Sequence, residues 1–210
     1  MRKERKKKLG LKNILAIPQM YTLWQKSIGD YKLRKIYCRE YIKAKEGDRI
    51  LDIGCGPANM VEYLPKNIDY KGFDDSKFYI ENAKKKFPQN NYSFFCQRVN
   101  FAKDFGQKFD IIMANAILHH IDDEEAQKLL SFASRNLKPG GRLITHDGCF
   151  IDNQSKFKKW VLENDRGKFV RTKEGYFKLF SKHFDKINTT IREDLYNLPY
   201  TVIVFECVKS

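Results

Sequence analysis

Paired cysteines are missing from this chain. Its five Cys (Cys38, Cys55, Cys96, Cys149 and Cys207) are scattered, odd in number and contain no C-x-x-C pair. That excludes a disulfide framework and a Cys-rich zinc site, and makes reduced thiols in a cytoplasmic protein the expectation. No His/Asp/Glu run has metal-ligand spacing either, so no metal is expected. Long apolar runs are also missing. No window approaches the roughly 18 apolar residues that a spanning helix needs. The apolar stretch after the basic start is broken by Lys12 and Asn13 and stops at Pro18, too short for the core of a signal peptide.

Acid is scarce relative to base. The 210 residues carry a formal net charge of +14. Six basic residues (Arg2, Lys3, Arg5, Lys6, Lys7 and Lys8) stand against Glu4 alone in the first ten, which read as a flexible tail. Such an excess attracts anions, whether nucleic acid, anionic lipid or a phosphorylated small molecule. Charge runs are nevertheless most often solvated faces. What is present is core material: 42% hydrophobic and 14% aromatic residues, enough for one domain of ordinary size over residues 11–210.

Residues 18–45 alternate apolar and basic positions in helical fashion, with a break at Gly29-Asp30. They predict two helices, part of a helical lid over residues 11–46. From residue 47 to 150 short apolar strands alternate with helices. The strands are 49–53, 69–73, 92–96, 109–114 and 142–145. The helices are 58–64 (ended by Pro65), 76–87 (ended by Pro88) and one to Leu137 capped by Asp122. This alternation predicts βαβ units and a parallel sheet buried on both faces. Residues 151–184 look like a helical insertion. Residues 185–210 hold two β-runs split by Asn197-Leu198-Pro199, expected as an antiparallel pair closing one edge. The fold expected is a doubly wound, mostly parallel, seven-stranded α/β sheet of Rossmann-like kind with an antiparallel edge strand.

The strongest local signal is Ile50-Leu51-Asp52-Ile53-Gly54-Cys55-Gly56-Pro57-Ala58, a strand running into a glycine turn that opens a helix. Glycine lets the backbone approach a ligand, and the carboxyl ends of such strands form the ligand crevice. A dinucleotide fingerprint wants a third glycine where Asn59 stands, which disfavours a nicotinamide dehydrogenase. The next strand ends Gly72-Phe73-Asp74-Asp75-Ser76, 20 residues past Gly54. An acid there can take ribose hydroxyls, while Asp75 or Ser76 caps the helix that follows.

The acid-x-Gly-x-Gly loop and the Gly-x-Asp that follows it resemble the first two motifs of class I S-adenosylmethionine-dependent methyltransferases. So does the Leu-Lys-Pro-Gly-Gly-Arg-Leu-Ile turn at 137–144. The resemblance covers about residues 48–146. It implies S-adenosylmethionine as cofactor, with Asp52, Gly54, Cys55 and Gly56 at its amino-acid end. Asp74, Asp75 and Ser76 would lie at the ribose, Arg98 and Val99 at the adenine, and Asn115 at the end of the fourth strand. Two positions depart from the family: Ala58 replaces a frequent third glycine, and Arg98 stands where an acid is common. Arginine offers no acceptor, so the adenine contact falls to Gln97, Asn100 or backbone.

Methyl transfer needs a placed nucleophile and, for many acceptors, a base. His119 and His120 follow the fourth strand, at the ligand edge, and histidine titrates near neutrality. Related small-molecule methyltransferases use a His after a similar Ile-Leu, so one of the two is the expected base. Asn115 is followed by Ala116 rather than Pro, which disfavours the nucleic-acid amino-methylating branch. Substrate contacts are expected from Tyr21, Trp24 and Tyr31 on the lid. Arg166 and Arg171 are expected as a clamp for an anionic group. The Asp-Arg-Gly…Val-Arg-Thr segment and Pro199-Tyr200 resemble bacterial members of undefined substrate, which implies a small-molecule acceptor. An RNA- or protein-directed methyltransferase using the basic surface is the alternative, and a catalytically silent nucleoside-binding module a third reading. The sequence names neither the acceptor atom nor the oligomeric state.

Overall fold

A computed structural model describes residues 30–98 and 105–210. Seven strands form one sheet: β1 (Arg49–Ile53), β2 (Asp69–Asp74), β3 (Tyr92–Cys96), β4 (Phe109–Asn115), β5 (Leu137–Phe150), β7 (Lys186–Arg192) and β8 (Val202–Val208). Their order is β3-β2-β1-β4-β5-β8-β7, and a two-residue strand, β6 (Arg171–Thr172), pairs with β5 off this path. Strands β1 to β5 are parallel; β8 runs antiparallel to both β5 and β7. The doubly wound sheet expected from the alternating pattern is therefore present, and the last two strands close its edge with β8 inside β7.

The helices are α1 (Asp30–Tyr37), α2 (Lys77–Lys86), α3 (Asp123–Asn136), α4 (Lys156–Glu163) and α5 (Lys173–Phe180). Alternate residues of each strand enter opposite cores. Ile50, Tyr70, Met113, Ile144 and Val204 join Leu33, Tyr37 and Ile42 on one face. Leu51, Phe73, Ile112, Leu143 and Phe205 join Leu129 and Phe180 on the other. The end of α1 continues as a π-helical turn (Cys38–Ile42), whose last carbonyls accept from the Arg142 guanidinium on β5.

Two elements differ from the sequence expectation. Residues 58–64 make only a 3-10 turn (Asn59–Tyr63), because Ala58 at φ 56° and Pro65 leave too few residues to propagate an α-helix. Strand β5 is far longer than 142–145. It starts at Leu137, accommodates Pro139-Gly140-Gly141 where its register against β4 shifts, and runs on to Phe150. The first lid helix, with Tyr21 and Trp24, lies outside the described residues, as does Val99. Among the described residues no helix is long and apolar enough to cross a membrane.

Candidate active site

The carboxyl ends of β1, β2, β4 and β5 open into one cavity of about 920 Å³. Its two ends are built differently. At one end the β1 turn bends away from the sheet with Gly54 at φ 66° and Gly56 at φ 53°. A Cβ on Gly54 would lie 2.2 Å from Ile117 Cδ1, so that position has no room for a side chain. A Cβ on Gly56 would meet nothing within 4 Å, because Gly56 faces the open cavity. Ala58 takes a left-handed conformation that costs a non-glycine residue about 1–2 kcal/mol. Its methyl is fully buried in the core and is not part of the cavity wall, so it leaves the crevice open.

Asp74 holds this turn. One carboxylate oxygen accepts from Gly56 N (3.0 Å), the other from Ser76 N (2.9 Å). Burial raises its pKa, and those two N–H groups oppose the rise. Ser76 in turn caps α2, accepting from Tyr79 N at 3.4 Å. Asp52 lies beneath the turn, 3% exposed, and accepts from the Tyr70 hydroxyl at 2.6 Å. Desolvation pushes its pKa up to about 7 despite that bond. Asp75 is exposed and 3.6 Å from Arg98. Gln97 and Arg98 line the cavity beyond β3. The Gln97 backbone N–H donates to Asp74 O, and among the described residues its buried side-chain amide nitrogen meets no acceptor.

At the other end, a 3-10 turn (Leu118–His120) carries both histidines. His119 is 4% exposed. Its Nδ1–H donates to Asp147 Oδ1 at 2.7 Å, and its backbone N–H donates to the same oxygen at 3.1 Å. Burial lowers the His119 pKa, but the Asp147 bond and the charges of Asp147 and Asp165 outweigh it and leave a net rise. With Nδ1 committed, Nε2 is the free ring nitrogen, 3.7 Å from Asp165 Oδ1. Asp165 is itself fixed, accepting from Gly167 N (2.8 Å) and the Tyr200 hydroxyl (2.8 Å). The His120 ring lies 4.1 Å from that of His119, and burial and the His119 charge push its pKa down to about 4. His119, His120 and Asp165 place ligand atoms within 4.8 Å of one another, a grouping that could hold a cation and that linear spacing did not reveal.

Asn115 Oδ1 accepts from His146 Nδ1 across 3.2 Å on the cavity wall. Arg166 lines the cavity as well. Arg171 does not. Its Nε and Nη2 bind Asp123, and its two Nη groups also donate to the carbonyls of Leu118, Ile121 and Phe169. Those bonds engage the whole guanidinium fork, so the anion clamp expected of Arg171 gives way to a strap between residues 118–121 and 165–171. Tyr31 is 64% exposed, packs edge-on against Tyr63 at 5.8 Å and is not part of the cavity wall. Asp147, His146 and Tyr200 escaped the sequence reading as site residues, and Asp165 entered it only as the start of the 165–172 segment.

Residues 50–141 match the family model described as a methyltransferase domain. Over that span the chain is similar to a methyltransferase domain. A ubiquinone biosynthesis O-methyltransferase of Coxiella burnetii is 32% identical over 115 residues, covering 53% of this chain and 48% of that protein. A ribosomal protein L11 methyltransferase of Dictyoglomus thermophilum is 30% identical over 155 residues, 71% of this chain and 50% of that protein. The chain thus spans about half the length of the curated relatives it matches. The N-methyltransferase NodS of Bradyrhizobium japonicum, solved with S-adenosylhomocysteine, has TM-score 0.70 at 14% identity over 95% of this chain and 96% of its own. The plantazolicin methyltransferase BpumL, also solved with S-adenosylhomocysteine, has TM-score 0.68 at 16% identity over 96% and 91%. At such identities these two show the methyltransferase fold alone.

Proposed function

We propose that this protein transfers a methyl group from S-adenosylmethionine to an oxygen or nitrogen of a small molecule, with His119 taking the acceptor's proton. The observation that carries the reading is the single cavity shared by the Asp74-held glycine turn and the His119–Asp147 pair.

The residues at the first end fit the cofactor. Gly56 leaves an open cradle, Asp74 retains carboxylate lone pairs after accepting two N–H bonds, and Asp52 is a buried acid beneath the turn. Gly54, Cys55 and Gly56 would hold the amino-acid end, Asp74 the ribose hydroxyls, and Gln97 with Arg98 the base. When bound, the cofactor supplies an activated methyl on a sulfonium that is already a leaving group.

The chain's own part is positioning and proton handling. Asp147 fixes the His119 tautomer, so Nε2 presents a lone pair to the cavity. Once Nε2 has taken a proton, the imidazolium lies between two carboxylates, Asp147 and Asp165. His120 is the weaker base, since its conjugate acid already loses its proton near pH 4. Asn115 and His146 line the wall between the two ends. Arg34 and Arg166 line the cavity and give it positive charge. The RNA- or protein-directed alternative has less support, because the chemistry faces a walled cavity rather than a basic surface.

The test incubates the protein with cofactor bearing a labelled methyl group and a size-fractionated cell extract. Label is expected in a small molecule, with His119→Asn losing at least about 100-fold in rate. Label recovered in RNA or protein instead, or an unimpaired H119N variant, overturns the reading.

A further inference from the structure

Two neighbouring histidines and a carboxylate from a distant loop converge at the histidine end of the cavity. One ring nitrogen of His119, one of His120 and a carboxylate oxygen of Asp165 all lie within 4.8 Å of one another. His119 Nε2 is 3.7 Å from Asp165 Oδ1. Bonds of about 2.0–2.2 Å in a tetrahedral metal site set neighbouring ligand atoms about 3.3–3.5 Å apart, so this pair is nearly in place. Each of the two is also oriented from behind. Asp147 accepts the Nδ1–H of His119 at 2.7 Å, which leaves the Nε2 lone pair on the side of Asp165. A carboxylate placed so fixes the ring of a ligating imidazole and raises its basicity. Asp165 accepts from Gly167 N at 2.8 Å and from the Tyr200 hydroxyl at 2.8 Å. His120 is the exposed member, and its ring makes no hydrogen bond among the described residues, so a side-chain rotation closes the remaining distance.

We propose that His119, His120 and Asp165 bind one divalent transition-metal ion, and that the ion shuts off methyl transfer by occupying His119 Nε2. The second half rests on the reading of His119 as the base. Two imidazole nitrogens and one carboxylate oxygen suit Zn²⁺ or Co²⁺, whereas Mg²⁺ and Ca²⁺ take oxygen ligands. The carboxylates of Asp147 and Asp165, on either side of the His119 ring, balance the double charge of the ion. His119, His120 and Asp165 all line the cavity, so the ion enters by the route open to the acceptor. Three protein ligands leave a fourth position for water. The Nε2 lone pair serves either the ion or the acceptor's proton, never both.

The experiment titrates Co²⁺ into the full chain, free of any polyhistidine tag, and follows visible absorption and calorimetry. One Co²⁺ per chain is expected, with d–d bands and no thiolate charge-transfer band. His120→Ala should weaken Co²⁺ by at least about 10-fold, with the fold checked by circular dichroism. Asp147→Asn, which removes the support of a ligand rather than a ligand, should weaken it by about 10-fold as well. Mg²⁺ at equal concentration should not compete. Zn²⁺ should stop methyl transfer by the parent and a chelator should restore it. The transfer that His120→Ala retains should tolerate about 10-fold more Zn²⁺. No uptake of Co²⁺, a thiolate band, or equal Co²⁺ affinity in the parent and both variants overturns the site. Binding that needs His120 but leaves methyl transfer running overturns the second half, and the base reading with it, while the site stands. Binding as expected in a protein that transfers no methyl group sinks the methyltransferase reading alone.

Discussion

Gly167 has no side chain where His119 needs the space: a Cβ built on Gly167 would lie 2.1 Å from His119 Cδ2 and 2.7 Å from the His119 carbonyl oxygen. Gly167 N also donates to Asp165, and Phe169 N donates to His119 O at 2.9 Å. The loop after α4 is thus packed directly onto His119. Gly167→Ala should push the imidazole off its Asp147 bond. We expect methyl transfer to fall by about 100-fold with little change in S-adenosylhomocysteine affinity, read by single-turnover kinetics and calorimetry. Parallel loss of both would mean that the loop supports the whole cavity.

The His119–Asp147 bond sets a pH dependence. The base works when neutral, so activity rises with pH through a His119 pKa lying above 6.5. Asp147→Asn removes the charge that raises it, so the acid limb of the rate profile should shift to lower pH while the maximal rate falls. Linkage gives the sign for stability. A raised histidine pKa stabilises fully below the unfolded value and loses that contribution as pH rises through the folded one. The stability gap between parent and D147N is therefore widest below about pH 6.5 and narrows as pH rises through the folded value. Proton NMR of the imidazole and chemical denaturation at several pH values check both; a gap that widens with pH contradicts the pairing.

Asp52 runs the other way in origin but destabilises at neutral pH. Its folded pKa of about 7 lies above the ordinary carboxylate value. The unfolded chain therefore ionises first, and folding loses stability as pH climbs from about 4 to 7. Asp52→Asn retains an acceptor for the Tyr70 hydroxyl and removes the buried charge. Stability at pH 8 should rise by on the order of 1–3 kcal/mol, and hardly at pH 4. Cofactor affinity should drop if the ionised acid meets an ammonium group. A variant less stable than the parent at pH 8 argues against a desolvated carboxyl.

Arg171 donates to three backbone carbonyls and to Asp123 from an 11% exposed side chain. Arg171→Lys keeps the charge but lacks the planar fork. We expect a loss of about 2–4 kcal/mol in unfolding free energy and no rescue relative to Arg171→Ala. A lysine variant as stable as the parent would show that charge alone suffices.

The glycine turn and its acid were legible because their constraints are local. Asp52, Gly54, Gly56 and Asp74 sit where a strand stops and the backbone must turn, and each position shows in the residue type itself. The acceptor end was only half legible. His119 stood out as one of few histidines, but its partner Asp147 falls in His146-Asp147-Gly148, which reads locally as the polar end of a strand that stops at Thr145. Only pairing with β8, His146 opposite Val204 and Asp147 opposite Ile203, carries the strand onward and buries the acid. Asp165 becomes a site residue through Tyr200, 35 positions away. Arg171 misled for the same reason: the carbonyls of Leu118 and Ile121 that occupy it are about 50 residues distant, and linear sequence does not show an arginine already engaged.

Strand β4 ends at Asn115, and the glycine turn and the paired histidines lie on either side of that point in chain order. The residues assigned to the cofactor precede it, while the paired histidines and the wall supplied by Asp147, Asp165 and Tyr200 follow it. Changes after residue 115 can therefore rebuild the histidine end of this wall without touching the glycine turn.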